Sequence, residues 1–486
     1  MPRTRTVAII GAGLAGLAAA RLLCLRGLEV KLFEANHKVG GCCASTRRDG
    51  YTFNDGALFL AFPGMLDRLF VELELDRPRL LPLRRMAALQ TTVLPDGTTV
   101  TFDAGPNISI EGGQSAQATA QSQRELYSFL AKWDPLLRFM ADEVLVRPFS
   151  LPRFIAKGWR HLHLLRGTAA SHLNRSFSSE AARAAMAGAL LYAGAPPEKM
   201  PAISLLGLVA MFRDGYHVPE GGMGTLPETL ADAVRTLGGE IRLNAKVSRI
   251  LVKNGCACGV DVAGDGVIEA DAAISSVSAM HTFGALLSER DVPSRLTQRV
   301  RRAKLSHKGF VLQLGLSNKI DVRSHSNNLL PWLCDQAQVF VADKNQLRWP
   351  VYTVPTVTVP ELAPAGGSIV EMFPPIDQAM TAADWREVRK EEVAAQAVER
   401  LRGLHEIDIA VRRMLSPKEF EEETHLQGGA LYGLSPLGGP AALFKHRSPI
   451  GGLYLAGQTT WPGFGVASAA MSGVFAAEAL IGHQSA

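Results

Sequence analysis

A chain of 486 residues, 47% of them apolar, is too long for one small core and should form about two or three structural units. Its net charge of +5 is too slight to imply a nucleic-acid partner. The six cysteines (Cys24, Cys42, Cys43, Cys256, Cys258 and Cys334) form neither a secretory framework nor a zinc-spaced set, so a reducing, cytoplasmic compartment and no metal site are expected.

Met1-Pro-Arg-Thr-Arg5 leads into only five residues, Thr6-Val-Ala-Ile-Ile10, before a glycine; that is too short for a leader, and the start of the chain is expected to be a fold element. The run enters Gly11-Ala-Gly13-Leu-Ala-Gly16, an Ala/Leu helix follows, and Leu28-Glu-Val-Lys-Leu-Phe33 ends at Glu34. Strand, tight turn, helix, strand and acid in that order suit the grip on a dinucleotide. Gly11 permits the turn, Gly13 lets the backbone approach a pyrophosphate, and Gly16 lets the helix pack against the strand. The unpaired N–H groups of the helix start attract phosphates, and Glu34 would accept hydrogen bonds from an adenosine ribose.

A second glycine pair follows in Val39-Gly40-Gly41-Cys42-Cys43, then Gly50-Tyr-Thr-Phe53-Asn-Asp55-Gly56-Ala57. This spacing resembles the second FAD-contacting motif of the flavoprotein superfamily that includes amine oxidases, phytoene desaturases and carotenoid isomerases. Where amine oxidases usually place Arg after the pair, this chain has Cys42. Cys42-Cys43 reads as two small residues filling a tight space beside a cofactor rather than as a redox pair.

Residues 63–73 have helical apolar spacing, expected near the substrate side, and residues 91–102 alternate about Asp96-Gly97 as a hairpin that opens a new sheet. Gly105 to Gln123 reads as a loop, and residues 124–215 as helical. Between Arg147 and Arg175 lie Arg153, Lys157, Arg160 and Arg166 with no acid, interleaved with Phe149, Leu151, Phe154, Ile155 and Trp159. Two readings fit: a surface that dips into anionic lipid, or a solvated helix face over a core contact. Residues 182–212 suit two helices either side of Pro196-Pro197, covering a greasy cavity or an ordinary core.

Tyr216-His-Val-Pro219-Glu-Gly221-Gly222-Met-Gly224 precedes a helix to Leu237 and a strand from Ile241 to Val247, a block similar to the phytoene desaturase and carotenoid isomerase group; the likeness implies that the backbone of Val247 touches adenine. Strands are expected at 247–253, 257–262 and 267–274, then strands with one amphipathic helix, 384–404, from about 296 to 434. Residues 448–477 carry no charge, but Gln458, Thr459, Thr460 and Pro462 break them into strand, turn and helix rather than a membrane span. Gly452-Leu-Tyr-Leu-Ala-Gly457-Gln-Thr-Thr-Trp461-Pro-Gly-Phe464-Gly465-Val466 resembles the last motif of the phytoene desaturase, carotenoid isomerase and retinol saturase group of the FAD-dependent amine oxidase superfamily.

That resemblance implies an α/β fold: a Rossmann-like, discontinuous FAD-binding domain of the glutathione-reductase/amine-oxidase type (1–90, 215–290 and 445–486), a mixed-sheet substrate domain (91–123 and 291–444) and a helical, membrane-associating subdomain (124–214). It implies non-covalent FAD against Gly11, Gly13, Leu14, Ala15, Gly16, Glu34, Ala35, Gly40, Gly41, Cys42, Gly56, Ala57, Leu58, Val247, Gly457, Gln458, Gly465 and Val466, with Trp461 and Phe464 walling a substrate cavity. The activity implied is desaturation or isomerisation of a long apolar isoprenoid by hydride transfer to or from flavin, with O2 or a quinone as electron acceptor. His217, His425 and Tyr432 are the candidates for acid–base work, because they lie near motif segments. A flavin amine oxidase, a polyene or retinoid saturase, a non-catalytic lipid-escort protein of the same fold and a basic membrane-surface module are the alternatives.

Overall fold

The computed structural model describes residues 6–112 and 115–484; the charged start Met1-Pro-Arg-Thr-Arg5 and Gly113-Gln114 lie outside the described residues. β1 (Thr6–Ile10), α1 (Leu14–Leu25) and β2 (Glu29–Phe33) follow one another as the spacing predicts. β1 is apolar on both faces because both are covered. Val7 and Ile9 enter the core beneath α1, whereas Ala8 and Ile10 enter a second core beneath the antiparallel strands Val247–Lys253, Cys256–Val262 and Gly266–Glu269. Five parallel strands form this first sheet, in the order Glu240–Arg242, β2, β1, Ala272–Ser275, Leu453–Leu455.

Two near-contacts fix the helix layer. A Cβ on Gly16 would lie 2.0 Å from the Gly11 carbonyl, and one on Gly473, in the C-terminal helix Val466–Gln484, would lie 2.0 Å from the Ala15 carbonyl. α1 therefore sits against its own turn and against the last helix of the chain, which brings residues more than 450 positions apart to one place. The helix Pro63–Glu72 also packs by the C-terminal helix, with Ser468 Oγ 3.9 Å from Met65 Sδ, and Ala61 and Phe62 at its start line a large cavity.

The second sheet has eight strands, ordered Ile409–Leu415, Val311–Leu316, Ser368–Met372, Val351–Thr353, Ser326–Leu329, Ala88–Val93, Thr99–Asp103, Asn107–Glu111. All neighbours are antiparallel except Ser326–Leu329 with Ala88–Val93. The helix Glu387–Arg402 closes one side with Trp385, Val393, Ala397 and Leu401. Helices between 115 and 214 pack beside the other.

Three expectations need correction. The stretch 105–123, read as a loop, contains the strand Asn107–Glu111 and the start of the helix Ser115–Phe139, because Ile108 and Ile110 alternate inward. The strand expected from Ile241 to Val247 stops at Arg242, and Val247 opens the next one. The strand expected at 267–274 is two, Gly266–Glu269 and Ala272–Ser275, which belong to different sheets. Residues 448–477 do divide into strand, turn and helix, and no helix among the described residues is long and apolar enough to cross a membrane.

Candidate functional site

One cavity of about 1130 Å³ runs between the two sheets and the helical region. Its first arm is built by the turns that follow β1 and β2. Gly11 (φ +93°) donates its N–H to the Phe33 carbonyl at 2.8 Å, and Gly40 (φ +116°) donates to Ala12 at 2.8 Å, so the two glycine turns lie side by side. Glu34 is buried between them; its carboxylate accepts from Ala12 N at 2.7 Å and Asn36 N at 3.0 Å. α1 starts at Leu14 without a side-chain cap, leaving its first N–H groups facing the cavity that Gly13, Leu14 and Ala15 line.

Gly13 and Gly16 play different parts. A Cβ on Gly16 would strike the Gly11 carbonyl, so that glycine is required by packing; Gly16 does not line the cavity. A Cβ on Gly13 would meet no protein atom within 4 Å. The bare backbone there serves the cavity. Together with an uncapped helix start and a buried carboxylate, it fits an anionic dinucleotide with a ribose beside it.

The second arm comes from the other end of the chain. Gly457 N donates to Ser472 Oγ at 2.6 Å and Thr460 Oγ1 donates to the Gly457 carbonyl at 2.8 Å, locking the turn that leads through Trp461, Phe464 and Gly465 to the helix start at Val466. Of the residues expected at a cofactor, Gly11, Gly13, Leu14, Ala15, Glu34, Ala35, Gly40, Gly41, Cys42, Gly56, Ala57, Leu58, Val247, Gly457, Gln458, Gly465 and Val466 all line this cavity, as do Trp461 and Phe464. Burial pushes the Cys42 thiol up to about 11 and that of Cys43 further, so neither is poised as a thiolate.

Beyond the flanking glycines the cavity becomes an aromatic chamber. Phe59 stacks on Tyr216 at 4.1 Å and meets Tyr192 edge-on at 6.2 Å; Tyr432 lies 4.7 Å from Phe464; Trp461 lies 4.9 Å from Phe149 and donates its N–H to the Arg147 carbonyl. Among the described residues the lining of the whole cavity holds two carboxylates, Glu34 and Asp55, and Asp55 is tied to Lys38 at 2.6 Å and Arg413 at 2.7 Å.

Of the three acid–base candidates, His217 does not line the cavity: it sits in the strand His217–Pro219, and burial and the nearby Arg85 and Arg77 lower its pKa. His425 lines it beside His281. Tyr432 lines it too, but its hydroxyl donates to the Tyr192 carbonyl, and burial pushes its pKa up to about 12. His307 and Tyr192 escaped the sequence reading, and Tyr216, the first residue of a motif there, also lines the cavity. His307 is 5.5 Å from the Tyr432 ring, its Nδ1 is buried without a partner, and burial lowers its pKa to about 4. Nothing in Leu305-Ser-His-Lys308 marks it as a wall residue.

A sheet of parallel strands with glycine turns at its carboxyl ends, joined through one cavity to a second, mixed sheet, is the α/β fold of flavin-dependent oxidoreductases. The chain belongs to the family described as flavin containing amine oxidoreductase, which it matches over residues 14–481. Within that family it is similar to the zeta-carotene-forming phytoene desaturase of Myxococcus xanthus (26% identical, covering 98% of this chain and 94% of the relative) and to the chloroplastic prolycopene isomerase of Daucus carota (27%, 96% and 78%). In fold it resembles an oxidoreductase from Methanosarcina mazei with a TM-score of 0.67 at 18% identity, over 97% of this chain and all of that one. The protein is thus an oxidoreductase of the carotenoid desaturase and isomerase group of the amine oxidase superfamily, with flavin as its cofactor.

Proposed function

We propose that the chain binds FAD non-covalently across the two glycine arms and acts on a long apolar isoprenoid of carotenoid type, with desaturation as its reaction. The observation that carries this reading is the continuity of one cavity from the dinucleotide cradle into a chamber walled by Phe59, Tyr192, Tyr216, Phe373, Tyr432 and Phe464. The flavin, when bound, supplies a two-electron acceptor for a hydride from a substrate carbon. The protein's own part is to hold the AMP half at Glu34 and the α1 start, to support the ring end with Gly457 and the C-terminal helix start, and to keep water from the polyene. O2 or a quinone is the acceptor proposed for reoxidation; isomerisation and saturation would use the same chamber.

A cationic amine is the poorer fit. A buried ammonium needs a counter-charge, and among the described residues the lining carboxylates are Glu34, which holds backbone N–H groups, and Asp55, which is already paired, so the aromatic walls would face that charge without one.

We also propose peripheral contact with anionic membrane. Leu151, Ile155 and Trp159, one helical turn apart, are 56%, 48% and 62% exposed, and the same segment lends Phe149, Leu151 and Phe154 to the chamber wall. Arg153 and Lys157 flank it, each bonded to Glu143. A substrate leaving a bilayer there would move between apolar surfaces. Loss of sedimentation with anionic vesicles on replacing Leu151, Ile155 and Trp159 by Ser is the expected result; unchanged sedimentation would remove the membrane contact.

The main test is anaerobic. The purified holoprotein should show an oxidised-flavin spectrum, release its flavin on denaturation, and be bleached by a C30 or C40 polyene precursor. Bleaching by polyamines or aromatic amines and by no polyene would reverse the assignment.

A further inference from the structure

The basic run at 147–175 has a counterpart that no motif marks. Residues 292–308 carry Arg295, Arg299, Arg301, Arg302, Lys304 and Lys308 and no acid, and the arginines all fall in the helix Ser294–Arg302. Leu296, Val300 and Ala303 pack on the core beneath it, which leaves the cations to its outer side. Arg299 and Lys308 are engaged with backbone carbonyls. Arg295, Arg301, Arg302 and Lys304 are exposed and form no ion pair among the described residues; the acids just ahead of the helix, Glu289 and Asp291, pair with none of them. Arg153 and Lys157, by contrast, share Glu143. Unpaired charge therefore gathers at 295–304 rather than at 153–157.

This helix runs along one lip of the cavity. Ser435 N donates to the Lys304 carbonyl at 2.8 Å. Arg299 Nη2 donates to the carbonyls of Ala441, Ala442 and Leu443, the last at 2.6 Å, with its guanidinium 4.5 Å over the Phe444 ring. The uncharged loop Ser435-Pro-Leu-Gly-Gly-Pro-Ala-Ala-Leu443 is thus tied to the helix at both ends. Arg295 and Arg302, one turn to either side of Arg299, share its side of the helix. Gly439 and Pro440 line the cavity and are also exposed, so they stand at its opening, and Leu437 beside them is 46% exposed. Leu151, exposed and lining as well, stands at the opening from the helical region. The two lips meet at one turn: the Trp461 ring lies 4.9 Å from Phe149, and a Cβ on Gly463 would lie 3.7 Å from Leu443 Cδ1.

We propose that the helix Ser294–Arg302 and the loop 435–443 dock on an anionic bilayer, so that the chamber opens against lipid between this loop and Leu151. This rests on the membrane contact already proposed for Leu151, Ile155 and Trp159, and supplies its charge. An acidic protein or a nucleic acid would meet the cations and leave the apolar lip wet. A bilayer presents anionic headgroups and acyl chains at adjoining depths, which matches cations beside an uncharged lip. Leu437, Pro440 and Leu151 would enter the headgroup boundary while Arg295 and Arg302 stay with the phosphates. A polyene would then pass from acyl chains to the chamber without crossing water.

The test uses the holoprotein and vesicles of phosphatidylcholine with or without phosphatidylserine. Sedimentation should be stronger with phosphatidylserine and fall with added salt. Each surface cation contributes about a fivefold gain, so Arg295→Gln with Arg302→Gln should weaken binding to the anionic vesicles roughly twentyfold, with flavin content unchanged. In a Cys256→Ser, Cys334→Ser background, an environment-sensitive dye on Leu437→Cys should shift to the blue when vesicles are added. The same dye on Val388→Cys, on the helix Glu387–Arg402, should not. Unaltered sedimentation of the arginine variant, or a dye at position 437 that stays in water on bound protein, overturns the proposal. So does binding of polyglutamate or a polynucleotide through the two arginines with no vesicle binding, which would assign the face to a polyanionic macromolecule. If replacing Leu151, Ile155 and Trp159 by Ser abolishes sedimentation while the arginine variant and the dye show no effect, the first contact stands and this face falls. A dye that still shifts in that triple variant supports the helix and loop as the docking face and removes the first contact.

Discussion

Replacing Gly13 and Gly16 separately by Ala should divide ligand binding from folding. Gly13 has φ −69° and ψ 174°, a conformation open to any L-residue, and its added Cβ meets no protein atom within 4 Å. Folding therefore gains about 0.4–1 kcal/mol from the stiffer unfolded chain, and the apoprotein should melt about one or two degrees higher. The same methyl occupies the approach to the first N–H groups of α1. Charge-assisted bonds there are worth about 1.5–3 kcal/mol each, so weakening one or two costs about 3 kcal/mol, roughly a hundredfold in FAD affinity. Gly16 reverses the pattern: its Cβ would sit 2.0 Å from the Gly11 carbonyl, and the forced shift of α1 costs about 1–3 kcal/mol of fold before any ligand is considered. Apoprotein melting curves and fluorescence titration with FAD read the two effects independently. A Gly13→Ala apoprotein that melts lower while binding FAD normally, or two variants that behave alike, would refute the reasoning.

Glu34→Gln swaps one acceptor oxygen for a donor facing a backbone N–H, at a cost of about 1–3 kcal/mol; FAD affinity and apoprotein melting temperature should both fall, as calorimetry would show. Glu371→Gln should alter stability only above about pH 4.5. The folded pKa of about 7 lies above the ordinary 4.5, so the wild type is fully stable below about pH 4.5 and loses on the order of 3 kcal/mol as pH rises through 7. The variant should therefore melt higher than wild type at pH 9 and with it at pH 4. Alkylation at pH 8, mapped by mass spectrometry, should label exposed Cys256 well before buried Cys43, whose thiol burial pushes far up; rapid labelling of Cys43 would contradict its burial.

The cradle was legible because its chemistry is local. Gly11, Gly13, Gly16 and Glu34 lie within one strand–helix–strand unit, where Gly16 packs on Gly11 and Glu34 bonds the turn at Ala12. The C-terminal arm, Gly457 to Val466, could be read for the same reason. What failed was continuity: Asn107–Glu111 was taken for loop because Gly, Ser and Gln surround it, although the buried pair Ile108 and Ile110 decides its structure. His217 stood next to a motif and so drew attention, yet the chain pairs it into a strand outside the cavity; His307, with no motif around it, forms part of the wall.

Glu371 marks a different boundary. In Ser368-Ile-Val-Glu-Met372 it reads as one polar residue in an apolar strand, and both an edge position and a solvent-facing position would be reasonable. Strand register sets it in one polar row with Gln313, Thr353, Ser326 and Arg413, and no spacing between those residues repeats. A one-residue slip in any one strand would turn that strand's member of the row to the other face. The row is thus a property of register, set by the apolar residues between its members: Leu312 and Leu314 flank Gln313, and Val370 and Met372 flank Glu371, all buried in the core on the opposite face of the sheet. The apolar packing that keeps those strands aligned is also what holds a buried carboxylate between the Gln313 amide and the Thr353 hydroxyl.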